Sequence, residues 1–77
     1  MAKKKIKIEN SVRKLRFNNN EMTQQELADL VGVTRQTVVA IEKYKYTPSL
    51  ELAFKISIVF NKEIQEVFYI GQQQDEH

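Results

Sequence analysis

The sequence predicts an all-α domain of five short helices, and three features predict it. Apolar residues recur at helical spacing in five stretches, opening near Ser11, Gln24, Arg35, Ser49 and Ile64. One proline and two glycines leave few turn formers for a β-rich fold. Cap-forming residues stand before the first four stretches: Asn10 or Ser11, then Thr23, Thr34, and the run Thr47-Pro48-Ser49. Seventy-seven residues with 42% apolar content suit one domain with a modest core. At that size, oligomerisation often supplies extra buried surface.

The chain opens on Lys3-Lys4-Lys5-Ile6-Lys7-Ile8. Alternation over Lys5 to Ile8 predicts a short strand with Lys3 and Lys4 frayed; a basic arm on phosphates and a solvated end are the other readings. The first helix carries Val12 and Leu15 inward and Arg13 and Lys14 outward. Three asparagines end it between Phe17 and Asn20, because their short side chains favour turns and left-handed backbone. Phe17 and Met22 are expected in the core.

Thr23 stands three residues before Glu26, the spacing at which each residue satisfies the other's free backbone N–H at a helix start. Leu27, Ala28 and Val31 share one face of that second helix; Val38 and Ile41 share one face of the third, which Thr34 caps. Gly32 lies between them. Two helices crossing steeply need a small residue at the contact (Ala28), a glycine free to take positive φ (Gly32) and a branched apolar residue facing inward (Val38).

Proline in the first turn is expected to open the fourth helix, Ser49 to Phe60. At about 100° per residue, Leu52, Ala53, Ile56, Val59 and Phe60 share a core face, while Leu50, Phe54 and Ile58 form a separate apolar stripe. A helix apolar on two sides is covered on two sides. A second copy of the chain and the C-terminal segment are the candidate covers. Asn61-Lys62 breaks the pattern, and Ile64, Val67 and Phe68 make a last helix running into Tyr69-Ile70. Residues 1–70 are thus expected to form one domain, with 71–77 a disordered polar tail. No internal repeat is visible.

The third helix, with TRQT at its start, E-x-x-KY-x-PSLELAFKI after it and a terminal EVF, resembles the Cro/repressor-like (Xre-type) helix-turn-helix family over Ser11 to Phe68. The resemblance implies a five-helix lambda-repressor-like fold, with a two-stranded antiparallel sheet in which Val67 to Ile70 partners the N-terminal strand. It implies that Arg16 pairs with Glu42 as a structural contact. The loop before Gln24 is one residue longer than in most relatives. Lys43-Tyr44 stands where the family usually has Gly or Asn, so the end of the third helix is expected to be shaped differently here.

Composition narrows the function. The absence of cysteine excludes disulfides and Cys/His metal sets, and the one histidine is His77. No Gly-rich phosphate loop occurs. Glu26, Asp29 and Glu42 sit where capping and pairing account for them. An enzyme is not expected, nor a cofactor or small-molecule ligand. The start has no apolar signal core and no run nears about 18 apolar residues, so a cytoplasmic protein with no membrane partner is expected. Residues 1–49 carry net +5 and residues 50–77 net −3, which suits one face turned to phosphate, although a merely solvated distribution explains the charge equally well.

The first turn of the third helix presents Arg35, Gln36 and Thr37. Arg suits guanine O6/N7, Gln suits adenine N6/N7, and Thr offers a hydroxyl or methyl. Val39 and Ala40 face outward and are small enough to let the helix approach bases; Ala40 joins the expected base contacts. An ordinary solvated helix face is the alternative for Arg35 and Gln36. Phosphate contacts are expected from Gln24, Thr34, Lys43, Lys45 and Tyr46. Leu50, Phe54 and Ile58, with Tyr69, are the expected dimer interface. The expectation is a homodimeric regulator, a repressor, reading double-stranded DNA through the major groove. The rival is an antitoxin or protein-interaction module on the same fold.

Overall fold

The computed structural model describes residues 6–71. In chain order these form β1 (Ile8–Asn10), α1 (Val12–Phe17), α2 (Gln24–Val31), α3 (Arg35–Glu42), α4 (Leu50–Val59), α5 (Ile64–Val67) and β2 (Phe68–Ile70). The expected five helices and two-stranded sheet are all present. Residues 1–5 and 72–77, and with them the readings made for Lys3, Lys4, Lys5 and the tail beyond Gly71, lie outside the described residues.

Helix starts follow the capping chemistry. Glu26 N donates to Thr23 Oγ1 at 3.0 Å and Thr23 N to Glu26 Oε1 at 2.8 Å, so both halves of the reciprocal cap are made. Thr34 Oγ1 accepts from Thr37 N at 3.3 Å, and Ser49 Oγ from Leu52 N at 3.1 Å. Ser49 is therefore the cap of α4, and Pro48 precedes the helix instead of occupying its first turn. A serine hydroxyl that reaches the third N–H of the turn leaves no need for a cap at Thr47. At α1 the cap is Asn10, whose Oδ1 accepts from Val12 N at 3.1 Å, while Ser11 makes no such bond.

Gly32 ends α2 at φ +79°, and the N–H groups of Gly32 and Val33 both reach Ala28 O, at 2.8 and 3.0 Å. A Cβ there would meet nothing within 4 Å. The demand for glycine is conformational, as the crossing of α2 and α3 requires. Those two helices pack closely, and α4 closes the core beneath α2. Val12, Leu27, Val38, Ile41, Ile56 and Val67 are almost wholly buried, and Leu15, Met22, Val33, Val59 and Phe68 pack around them.

Two further expectations need correction. The N-terminal strand is Ile8–Asn10, not Lys5 to Ile8. It pairs antiparallel with β2 in the register Ile8↔Ile70, Glu9↔Tyr69, Asn10↔Phe68, and Gly71 N adds one bond to Lys7 O at 2.8 Å. Because α5 runs to Val67, the partner strand begins at Phe68, which makes Asn10 the last paired residue of β1. Phe17 is not core: it is 66% exposed at the last residue of α1.

Candidate nucleic-acid interface

The geometry of α3 follows from what fixes its ends. Val38 and Ile41 hold its inner face in the core, and Thr34 caps its start. At its far end Lys45 N donates to Ala40 O at 2.9 Å and Tyr44 N to Ile41 O at 3.0 Å, a paired closure that needs a left-handed residue between them. That residue is Tyr44, at φ +61°. A tyrosine is costlier there than glycine, by about 1–2 kcal/mol, and the N-terminal segment supports it. Tyr44 Oη lies 3.5 Å from Asn10 O, and Lys7 Nζ stands 5.6 Å from its ring centroid. Buried Asn10 also donates through Nδ2 to Ile41 O at 2.9 Å. One asparagine thus caps α1 and ties it to the end of α3.

The Arg16–Glu42 pair implied by resemblance is present. Arg16 donates through Nε to Glu42 Oε2 at 2.6 Å and through Nη2 to Oε1 at 3.0 Å; its Nη1 reaches Met22 O at 2.7 Å. With two donors on one carboxylate and a third on a backbone carbonyl, α1 is locked to the last turn of α3 and to the start of α2.

Against this frame the expected contact residues separate into groups. Arg35 and Gln36 are exposed on the first turn of α3, while Thr37, Val39 and Ala40 beside them are half-buried. The Thr37 hydroxyl lies 3.1 Å from the Thr34 hydroxyl, so both are already engaged with each other. Gln24 gives its side-chain amide to Glu42 Oε1 at 3.1 Å; its backbone N–H at the start of α2 makes no bond among the described residues. Lys43, Lys45 and Tyr46 are exposed on the turn after α3. Leu50, Phe54 and Ile58 are exposed along α4, at 69%, 48% and 74%. Tyr69 stands apart from that stripe on β2, where its hydroxyl accepts from Ser11 Oγ at 3.3 Å.

Sequence reasoning missed Asn10 as the tie to α3. Its only signal is an asparagine immediately before a serine, where either can cap. Tyr44 is visible in the sequence as a departure from the family pattern, but no local pattern announces the left-handed closure it adopts. Among the described residues, no helix is long and apolar enough to cross a membrane.

Known proteins share this arrangement. The helix-turn-helix family profile matches residues 12–67, from the start of α1 to the end of α5. An uncharacterised HTH-type transcriptional regulator of Archaeoglobus fulgidus is 53% identical over 53 residues, spanning 69% of this chain and 75% of its own. The Bacillus subtilis protein YgzD, also described as an uncharacterised HTH-type transcriptional regulator, is 44% identical over 66 residues, 86% of this chain and 98% of that protein. The crystal structure of a proposed DNA-binding protein from Bacteroides fragilis is similar in fold, with a TM-score of 0.69 at 20% identity over 79% of this chain and 97% of that one. With its capped helix pair, its Gly32 turn and the profile match over most of its length, the chain belongs to the Cro/C1-type (Xre-type) helix-turn-helix family of transcriptional regulators, a family that is not enzymatic.

Proposed function

We propose that the chain is a sequence-specific DNA-binding regulator that acts as a repressor, binding an inverted-repeat operator as a homodimer. One observation carries the reading: α3 is anchored at both ends while Arg35 and Gln36 on its first turn are left in solvent. A rigid helix with free donors at its N-terminal end is what a major groove admits. Arg35, Gln36, Thr37 and Ala40 meet base edges. Gln24, Thr34, Lys43, Lys45 and Tyr46 take the flanking phosphates, Gln24 chiefly through its free backbone N–H.

Three large apolar side chains exposed on one short helix, Leu50, Phe54 and Ile58, support pairing of two copies through α4, with Tyr69 at the margin. Two-fold symmetry then spaces the half-sites by about 34–36 Å. A dimer seated on an operator excludes other proteins from it, which is repression in its simplest form.

Selection of bound sequences from random DNA, followed by titration of Arg35→Ala on the selected duplex, tests the assignment. The variant should lose about 1–3 kcal/mol and lose preference at one base pair. Equal binding by variant and wild type on every sequence rejects it. The exposed α4 stripe also fits a second reading, an antitoxin or interaction module whose main ligand is another protein. Stoichiometric capture of such a partner, with only sequence-blind affinity for DNA, favours that reading. Under the dimer reading, Phe54→Asp gives monomers by light scattering and weakens operator binding.

A further inference from the structure

Four cations face one another across a cleft that the bonds around α3 leave open. It measures about 740 Å³ and lies between α1 and the turn after α3. Arg13 and Lys14 stand on the first wall, Lys43 and Lys45 on the second. The one carboxylate that lines it, from Glu42, already has its oxygens taken by Arg16 and Gln24. Among the described residues, none of the four cations is in an ion pair. Like charges gathered on the walls of a concave surface focus the local potential and favour an anionic occupant.

The shape of the surrounding surface says which anion. Arg13 and Phe17 line a neighbouring hollow as well, together with Thr23, Gln24, Arg35 and one carboxylate, that of Glu21. The polar surface therefore continues from the turn after α3, across the outward face of α1, to the first turns of α2 and α3, with Arg13 and Arg35 against the single carboxylate of Glu21 in its second part. Phe17 leaves 66% of itself exposed in the middle of this strip. An occupant that alternates charge with apolar surface over several ångströms fits it better than a single free phosphate. A nucleic-acid backbone, phosphate followed by deoxyribose, has that pattern.

We infer that Arg13, Lys14 and Phe17 on α1 form a second backbone-binding strip, which takes phosphates and an intervening sugar of the same duplex that α3 reads. Lys43 and Lys45 hold the opposite wall of the track. The inference rests on the DNA-binding reading above and extends it to a helix that the reading treats as support. The strip carries no base contacts. It sets affinity and salt dependence, and leaves the choice of sequence to α3.

The test compares wild type with Arg13→Gln/Lys14→Gln, and with a control, Lys55→Gln/Lys62→Gln, placed on and after α4. Each is titrated by fluorescence anisotropy against a duplex selected by the wild type and against a random duplex, from about 50 to about 200 mM salt. All four side chains are exposed, and melting curves verify that each variant is folded. The α1 variant should lose affinity for both duplexes by the same factor. Its loss of affinity over that salt range should be about 12-fold smaller than that of wild type, since each lost phosphate lowers the slope by about 0.9. The control should superimpose on wild type. An α1 variant with wild-type affinity and slope overturns the inference and leaves the reading of α3 intact. A loss confined to the selected duplex overturns it too, because base contacts would then lie on α1. So does saturable binding of inorganic phosphate or AMP at Arg13 and Lys14, seen by NMR, with the DNA titration unchanged. If wild type itself shows neither sequence preference nor salt dependence, the DNA-binding reading fails first, and the strip with it.

Discussion

Replacing Arg16 with Met tests whether α3 is held from behind. In the folded chain the Arg16 and Glu42 side chains are only 13% and 5% exposed. Removing the guanidinium leaves a nearly buried carboxylate without its cation, and half-breaking a buried pair costs about 3–5 kcal/mol. Gln24 still donates to Glu42 Oε1 at 3.1 Å, which places the expected cost near the lower end, about 3 kcal/mol. A chain of this size has roughly 4–11 kcal/mol in all. The change should therefore lower Tm by about 12–24 °C. Adding Glu42→Leu removes the stranded charge and lets the two apolar side chains pack, so the double variant should recover about 2 kcal/mol of the loss. Urea and thermal unfolding followed by circular dichroism at all four corners of the cycle measures this. A single variant within about 1 kcal/mol of wild type, below the range for a broken buried pair, refutes the reasoning. A double variant no more stable than Arg16→Met does the same.

Three further outcomes are expected. Gly32→Ala should cost about 1–2 kcal/mol by urea unfolding, although a Cβ there meets no neighbour, because the residue sits at φ +79°; Gly32→Asn should cost less. Asn10→Ala should cost about 1–3 kcal/mol: it leaves Val12 N–H without its acceptor and Ile41 O without one donor. Faster hydrogen exchange at the end of α3 would report the second loss. Lys45→Ala should weaken binding to every duplex alike and lower the salt slope by about 0.9, read from the same anisotropy titrations.

Where structure depends on neighbours in sequence, it could be read in advance. The Thr23–Glu26 cap, the left-handed Gly32 and the buried face of α4 are set within one or two turns, and all three stand as expected. The pair of Arg16 with Glu42 spans 26 positions and was legible only through resemblance. The bounds of the N-terminal strand were misplaced because its last paired residue, Asn10, is fixed by where α5 ends, at Val67, far along the chain. Phe17 was a different kind of miss. At about 100° per residue it points about 170° away from the midpoint of Val12 and Leu15, so the helical wheel already put it outside. The candidate site divides the same way. The exposure of Arg35 and Gln36 follows from the periodicity of α3, whereas the mutual engagement of Thr34 and Thr37 depends on rotamers that no pattern records.

Tyr44 separates two properties that usually change together. It closes α3 from a backbone geometry that suits glycine or asparagine better, and its hydroxyl reaches back to Asn10 O, at the opposite end of α3 from Arg35 and Gln36. Exchanging it alters how firmly the last turn is shut while leaving the chemistry of the first turn as it was. Under the proposed function, mutation at this one position therefore adjusts how long the chain stays on its sites without changing which sites it chooses.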